Sequence, residues 1–462
     1  PPLRHARGRP TFAAASSRPD GWLAFPCLRA ASMLGAARFR FLNQTHDVPA
    51  PEAWNDPARD KLWLYNLHYF DDLNAVDAAE RAEWHRNLVA RWIDENPPGQ
   101  GNGWEPYPTS LRLVNWIKWA LREDASSSEC RDSLAVQARW LRRRLEHHLL
   151  GNHLFANAKA LVFAGAFFVG PEADRWLARG QRLLTRELRE QILTDGGHFE
   201  RSPMYHAILL EDVLDLLQLG RLCPGVLDAS LLNLCEEKAE AMLRWLAAMT
   251  HPDGQISFFN DAAFGIAATL AELARYAAGL AIGAEGTEAP RQEGTEQRGS
   301  EECSVPSPRA PVVLRDSGYI RLEAGPAVAL LDVAPIGPDY LPGHAHADTL
   351  SFELSLFGQR TIVNGGTSRY GSGPERLAER GTSAHSTVQI DGADSSEVWG
   401  GFRVARRARP FDVQVASGDP CRVAAAHDGY RRLPGRVVHR RSWELSATQL
   451  TVIDRIEGEG CG

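Results

Sequence analysis

Between residues 77 and 284 apolar side chains recur at three- and four-residue spacing, in the stretches 82–94, 109–121, 132–149, 153–168, 174–193, 205–220, 229–249 and 262–282. That is the period of amphipathic helices. Breakers separate the stretches: Pro97-Pro98-Gly99, Gly151-Asn152, Gly170-Pro171, Gly196-Gly197, Pro224-Gly225 and Pro252-Asp253-Gly254. Connections this short make neighbouring helices antiparallel, and many such hairpins in series give a solenoid or a closed α/α toroid. No fixed-period repeat is visible, so periodicity leaves both open. Beyond residue 311 the period becomes two. The runs 319–322, 327–333, 349–357, 360–363, 386–390, 413–416, 437–445 and 449–453 read as strands. Strands in succession without helices between them predict an antiparallel sandwich.

Residues 285–311, poor in apolar side chains and rich in Gly, Glu, Pro and Ser, read as a linker between these halves. Residues 1–76 read as a lead-in packed on the helical part, with a strand at 39–42 and a compact aromatic segment at 63–70. The predicted class is therefore α+β multidomain: lead-in 1–76, helical domain 77–284, linker 285–311, β-sandwich 312–462. A length of 462 residues agrees with more than one core. The strand-like run 449–453 stands close to the last residue, so the sandwich is expected to continue past Gly462. The chain starts at Pro1 without a methionine, so a removed leader or a trimmed start is expected.

The net charge of -7 argues against a nucleic-acid binder, and a polyanionic substrate would have to be met by a locally positive cleft. No apolar run of about 18 residues is present to span a membrane. The seven cysteines contain no CxxC pair, which disfavours a zinc knuckle and leaves the compartment open.

Reactive side chains gather at four places. In Leu149–Asn157, Asn152 reads as the N-cap of the next helix, with His153 beside it. The double-glycine loop Gly196-Gly197 is followed by His198, Glu200, Arg201, Tyr205 and His206, more titratable groups than a connector needs. His344-Ala345-His346 places two imidazoles on one side of a strand start, and His385 leads into another expected strand. No HExxH is present. Trp104, Tyr107 and Arg112, and Phe258-Phe259-Asn260-Asp261, offer aromatic and polar groups suited to sugar rings. The plain alternative for each is a cap, a core residue or a surface histidine.

Together, GHAHADTLSFEL followed by RGTSAHSTVQIDG, with GNHLFANAKAL and GGHFERSPMYH in the helical part, resemble the heparinase II/III-like polysaccharide lyases. LYNLHYFDDLN and SSEVWGGFRVARR resemble members found with exopolysaccharide or capsule genes. The resemblance implies an incomplete (α/α) toroid followed by an antiparallel β-sandwich, with the site in the cleft between them. It implies a bacterial protein of the periplasm or cell envelope acting on an acidic polysaccharide. It assigns Tyr205 as base and acid, His344 as its partner, and Asn152 with His153 as the groups neutralising a uronate carboxylate. Substrate-binding candidates are His198, Glu200, Arg201, Trp104, Tyr107, Arg112 and Asn260.

The same resemblance places His346 and His385 at positions that hold a structural divalent ion, Zn or Ca. The usual third ligand, an Asp, is Asn364 here, and an amide binds Zn²⁺ poorly. No cofactor is required for the reaction. In β-elimination a base removes the proton α to the carboxylate and the 4-linked oxygen leaves. Tyr, with an ordinary pKa near ~10, needs positive neighbours to act as that base, and Arg201, His344 and then Arg112 are the candidates. Two other readings stand beside this one. A glycoside hydrolase would need two carboxyl groups, from Glu105, Glu200, Asp195 or Asp261. A glycan-binding protein without catalysis would need neither.

Overall fold

The computed structural model describes residues 11–12, 25–123, 127–283 and 309–459. Most of the expected 285–311 linker lies outside them. The chain forms two compact units, Pro1–Arg189 with Asp212–Glu236, and Glu190–Glu211 with Glu237–Gly462.

In the first unit a small antiparallel sheet (Met33–Gly35, Arg38–Phe41, Gln44–Asp47) precedes the helices. The aromatic segment at 63–70 is helical: α1, Lys61–Tyr69, starts where the Asp60 carboxylate accepts the N–H groups of Leu62 and Trp63. Next come α2 (Ala82–Glu95), α3 (Pro106–Glu123), α4 (Ser128–Arg142), α5 (Gly151–Phe167) and α6 (Pro171–Gln191). Helix α5 is apolar on all sides, and from Leu154 onward every residue is buried. Helix α6 can approach it because Gly180 carries no Cβ; one there would lie 2.8 Å from the Ala158 carbonyl oxygen. Lys159 interrupts the apolar run of α5 and is neutralised by Asp212 and Asp215, each at 2.5 Å.

Two helix boundaries differ from the apolar spacing, both through side-chain capture of backbone groups. Helix α4 stops at Arg142 rather than 149, because the Glu146 N–H is taken by Asn157 Oδ1 at 2.8 Å and Leu150, φ 58°, turns the chain into α5. Helices α7 (Pro203–Leu222) and α8 (Ala229–Ala248) follow, and α9 (Leu270–Gly279) begins at 270 rather than 262, where Thr269 and Glu272 form a capping box.

In the second unit a five-stranded antiparallel sheet has the order Gln359–Ile362, Phe352–Leu356, Ala327–Asp332, Tyr319–Ala324, Val312–Leu314. A four-stranded sheet has the order Pro410–Ala416, Cys421–His427, Val438–Leu445, Leu450–Glu457. Leu322, Leu331 and Leu354 of the first sheet share a core with Val423, Trp443 and Leu445 of the second, so the two form a sandwich. The alternating pattern predicts strand throughout this region, yet residues 363–409 are mostly irregular and contain a short helix, α10 (Pro374–Arg380). The expected strand at 386–390 is absent. Gly365, Gly366, Gly371 and Gly373-Pro374 break the segment, and tertiary bonds hold it: Arg380 Nε donates to the Ala345 carbonyl at 3.0 Å and Thr382 Oγ1 to that of Ala347 at 2.8 Å.

Candidate functional site

Tyr205 lies in the first turn of α7 (Pro203–Leu222), on the far side of the double-glycine loop. That loop is held tightly: a Cβ at Gly196, φ 90°, would sit 2.2 Å from the Ala241 carbonyl oxygen. Arg201, φ 59°, turns the chain into the helix, and its Nε donates to the Ser317 carbonyl at 2.9 Å. The Tyr205 ring lies over the His344 imidazole, with centroids 3.9 Å apart and planes 30° from parallel. Its hydroxyl is 2.7 Å from that of Tyr370. Sequence reasoning passed over Tyr370, which sits in the glycine-rich 363–409 segment.

Asp261 is the centre of this cluster. Its carboxylate is fully buried, 2.8 Å from His344 Nδ1 and 2.8 Å from His346 Nε2, and it accepts Thr367 Oγ1 at 2.8 Å. Arg376, also fully buried, grips both carboxylate oxygens, one at 2.7 Å. Burial alone would raise this carboxyl, but the hydrogen bonds from His344 and His346 outweigh it and hold Asp261 well below the usual range. A permanently ionised Asp261 pins His344 Nδ1 and turns Nε2 toward Glu200, 3.5 Å away. Tyr370 lies under the Arg376 guanidinium, 5.1 Å from its ring centre, and burial pushes its phenol well above the ordinary value. It is therefore a neutral donor, able to stabilise an oxyanion on Tyr205.

The other expected residues of this unit mostly support the frame. His198 is fully buried, 3.2 Å from Gln191, and burial keeps it neutral. Asn260, expected at the sugar, instead spends its amide on backbone: Nδ2 donates to the Arg201 carbonyl at 3.1 Å and Oδ1 accepts the His346 N–H at 3.0 Å.

His346 Nδ1 and His385 Nε2 face each other at 3.3 Å, and Asn364 lies beside them as expected. Its oxygen, however, is 3.1 Å from Nδ1 of His385, the nitrogen turned away from His346. Asp261 is already committed to Arg376, His344 and His346. Among the described residues no three His, Cys, Asp or Glu side chains are arranged to hold a metal ion. The residues present do not fit a resident metal; they form a hydrogen-bonded chain Asp261–His346–His385–Asn364.

In the first unit, Asn152 is the second residue of α5 and not its N-cap; Leu150 holds the cap position without a side-chain bond. Asn152 lies beside the Tyr107 hydroxyl. The Tyr107 ring stacks on His153 at 4.4 Å, and His153 Nδ1 is 3.0 Å from Glu146. Glu146 was not singled out by its sequence context. Trp104 and Arg112 correct the expectation of a sugar platform. Trp104 is 4% exposed; Arg112 is fully buried, stacked 3.9 Å over Trp92 and bonded to Gln137 at 2.9 Å. A buried guanidinium needs such partners, and these two side chains build the helical core.

The described heparinase II/III N-terminal family matches residues 91–279, and the heparinase II/III-like C-terminal family matches residues 306–462. The chain belongs to the heparinase II/III-like family. It is 26% identical over 366 residues to a heparin-sulfate lyase of Pedobacter heparinus, covering 72% of this chain and 53% of the relative. It is 27% identical over 426 residues to FtsZ-localized protein C of Caulobacter vibrioides, covering 86% and 65%. The chain thus spans less than two thirds of either relative. Crystal structures of heparinase III (TM-score 0.62, 20% identity, covering 85% of this chain and 62% of that one) and of a heparan sulfate lyase mutant from Pedobacter heparinus (0.57, 21%, 92% and 68%) share its fold. That fold is an α/α toroid followed by a β-sandwich, and the family is one of polysaccharide lyases.

Proposed function

We propose that this protein is a polysaccharide lyase that cleaves a uronate-containing polysaccharide by β-elimination, with Tyr205 as base and then acid. The observation that carries the reading is the Tyr205 phenol hydrogen-bonded to Tyr370 at 2.7 Å and stacked on a His344 whose Nδ1 is anchored by Asp261. A phenolate at Tyr205 accepts a bond from the neutral Tyr370 while the fixed imidazole lies against its ring. It takes the proton α to the carboxylate, the C4–oxygen bond breaks, and the reprotonated Tyr205 hands its proton to the leaving oxygen. The products are an unsaturated uronate and a new sugar terminus. Asn152 and His153 are assigned to the carboxylate, whose charge must be met by donors while the enolate forms.

The hydrolase reading loses its carboxyl pairs. Glu105 is bonded to Tyr65 and Lys61, Asp195 accepts the Ser317 N–H and hydroxyl, and Asp261 is held by Arg376. Incubation with a panel of uronate polymers while following absorbance near ~232 nm tests the proposal, since elimination leaves a double bond conjugated to the carboxylate and acid/base hydrolysis does not. A rise with wild type and none with Tyr205→Phe is expected. Binding without any rise would make the chain a non-catalytic relative.

A further inference from the structure

The first unit carries a groove of about 500 Å³ lined by Arg142, Arg175, Arg179, Arg182 and Arg186. Four of these come from α6 (Pro171–Gln191) at intervals of four, three and four residues, which places them along one helical stripe. The fifth, Arg142, closes α4 and is followed directly by Arg143 and Arg144. At 1.5 Å per residue the stripe from Arg175 to Arg186 is about 16 Å long. Ala178 and Leu183 complete the lining, so the groove has no aromatic ring and no acid in its wall. Among the described residues Arg186 has an acidic partner, Glu187, while Arg142, Arg175, Arg179 and Arg182 have none. Next to it, His147 is held below its ordinary pKa by partial burial and by the charges of Arg179 and Arg186.

On a chain of net charge -7, five guanidinium groups converging on one groove are a local reversal of sign. Such a reversal costs self-repulsion in the free protein and is offset when anions arrive. We propose that this groove is a second binding site for an anionic stretch of polysaccharide chain carrying carboxylate or sulfate groups. Planar guanidinium forks match both groups bidentately. A stripe about three turns long suits a linear polymer with several charges better than a single ion. Single-stranded nucleic acid is disfavoured because no ring in the lining can stack a base, and a membrane surface because the lining's apolar side chains are Ala178 and the half-buried Leu183. The choice of glycan rests on the lyase reading above.

The test compares wild type, Tyr205→Phe and the triple variant Arg175→Glu/Arg179→Glu/Arg182→Glu. Binding of fluorescent long heparan sulfate chains is read by anisotropy, alongside a DNA duplex of similar charge. The triple variant should bind the long chains at least ~10-fold more weakly at ~0.15 M salt, and the difference should shrink at ~1 M salt, where screening falls to about 3 Å. Tyr205→Phe serves as the reference in which turnover does not shorten the chains. Unchanged affinity in the triple variant overturns the proposal, as does wild-type binding of the DNA duplex tighter than that of the glycan. Circular dichroism checks the fold, and if charge reversal unfolds the chain, the Arg→Gln triple is read instead with the same outcomes. Because no turnover is needed, a chain that binds through the groove but cleaves nothing refutes the lyase reading and leaves the groove standing.

Discussion

Each unit contains a tyrosine stacked on a histidine whose Nδ1 meets a carboxylate, but the two triads are built differently. In the second unit it is Tyr205, His344 and Asp261, with rings at 3.9 Å and the carboxylate at 2.8 Å; in the first it is Tyr107, His153 and Glu146, at 4.4 Å and 3.0 Å. Asp261 is balanced by a buried Arg376, whereas Glu146 is bonded by the neutral amide of Asn157 at 2.9 Å. Tyr107 is raised by burial and then by the charges of Asp212, Glu146 and Asp71, an acidic setting that resists a phenolate. Tyr205 has a neutral phenol donor instead. A tyrosine, a histidine and a carboxylate thus meet in two electrostatic settings, and the proposal above assigns the base only to the one whose carboxylate has a guanidinium counter-charge.

The most forceful way to break this contrast is to remove the counter-charge. Arg376→Ala leaves Asp261 buried without its guanidinium counter-charge, so unfolding free energy should fall by about 3–5 kcal/mol. Glu146→Gln, which removes a charge and keeps most bonds, should cost only about 1 kcal/mol. Equal losses in urea denaturation would show that Asp261 is not the more dependent of the two.

Turnover sharpens the comparison next. Tyr205→Phe should reduce cleavage of a uronate polymer at least ~100-fold, the low end for a positioned acid/base group, while Tyr107→Phe should stay within about tenfold of wild type. Similar losses in both variants would remove the distinction.

A smaller effect is expected from Tyr370→Phe. Burial keeps Tyr370 protonated well past the ordinary phenol range, so it donates to a Tyr205 oxyanion across the working pH. Losing that donor leaves the oxyanion less stabilised, so turnover should fall about tenfold, roughly 1.4 kcal/mol. An unchanged rate would mean that Tyr370 does not serve Tyr205.

The smallest change is in stability. Asn152→Ala should lower turnover about tenfold by removing a carboxylate donor. Because Asn152 stands inside α5 and caps nothing, the thermal midpoint should move little, unlike the ~1 kcal/mol loss of a true N-cap. A full capping loss would return it to a structural role.

How much of this was legible beforehand depends on whether the information was local. Helical and strand periods, the glycine and proline breaks, and the reactive runs around Tyr205 and His344 are local, because each follows from side chains a few residues apart. They determined the class of fold and named both members of the stacked pair. The shorter α4 and α9 are local as well, but in a competition that apolar spacing does not record: Asn157 takes a backbone donor of Glu146, and Thr269 with Glu272 sets a later start. Tyr370 and Arg376 carry no such signature, since Asn364-Gly365-Gly366 and Gly371 to Pro374 read only as breakers in a strand region. Only the tertiary structure decided that this irregular segment brings a phenol to Tyr205 and a guanidinium to Asp261. Charge balance in a buried site depends on groups more than a hundred residues apart, Arg376 and Asp261 among them, and no spacing rule reaches that far.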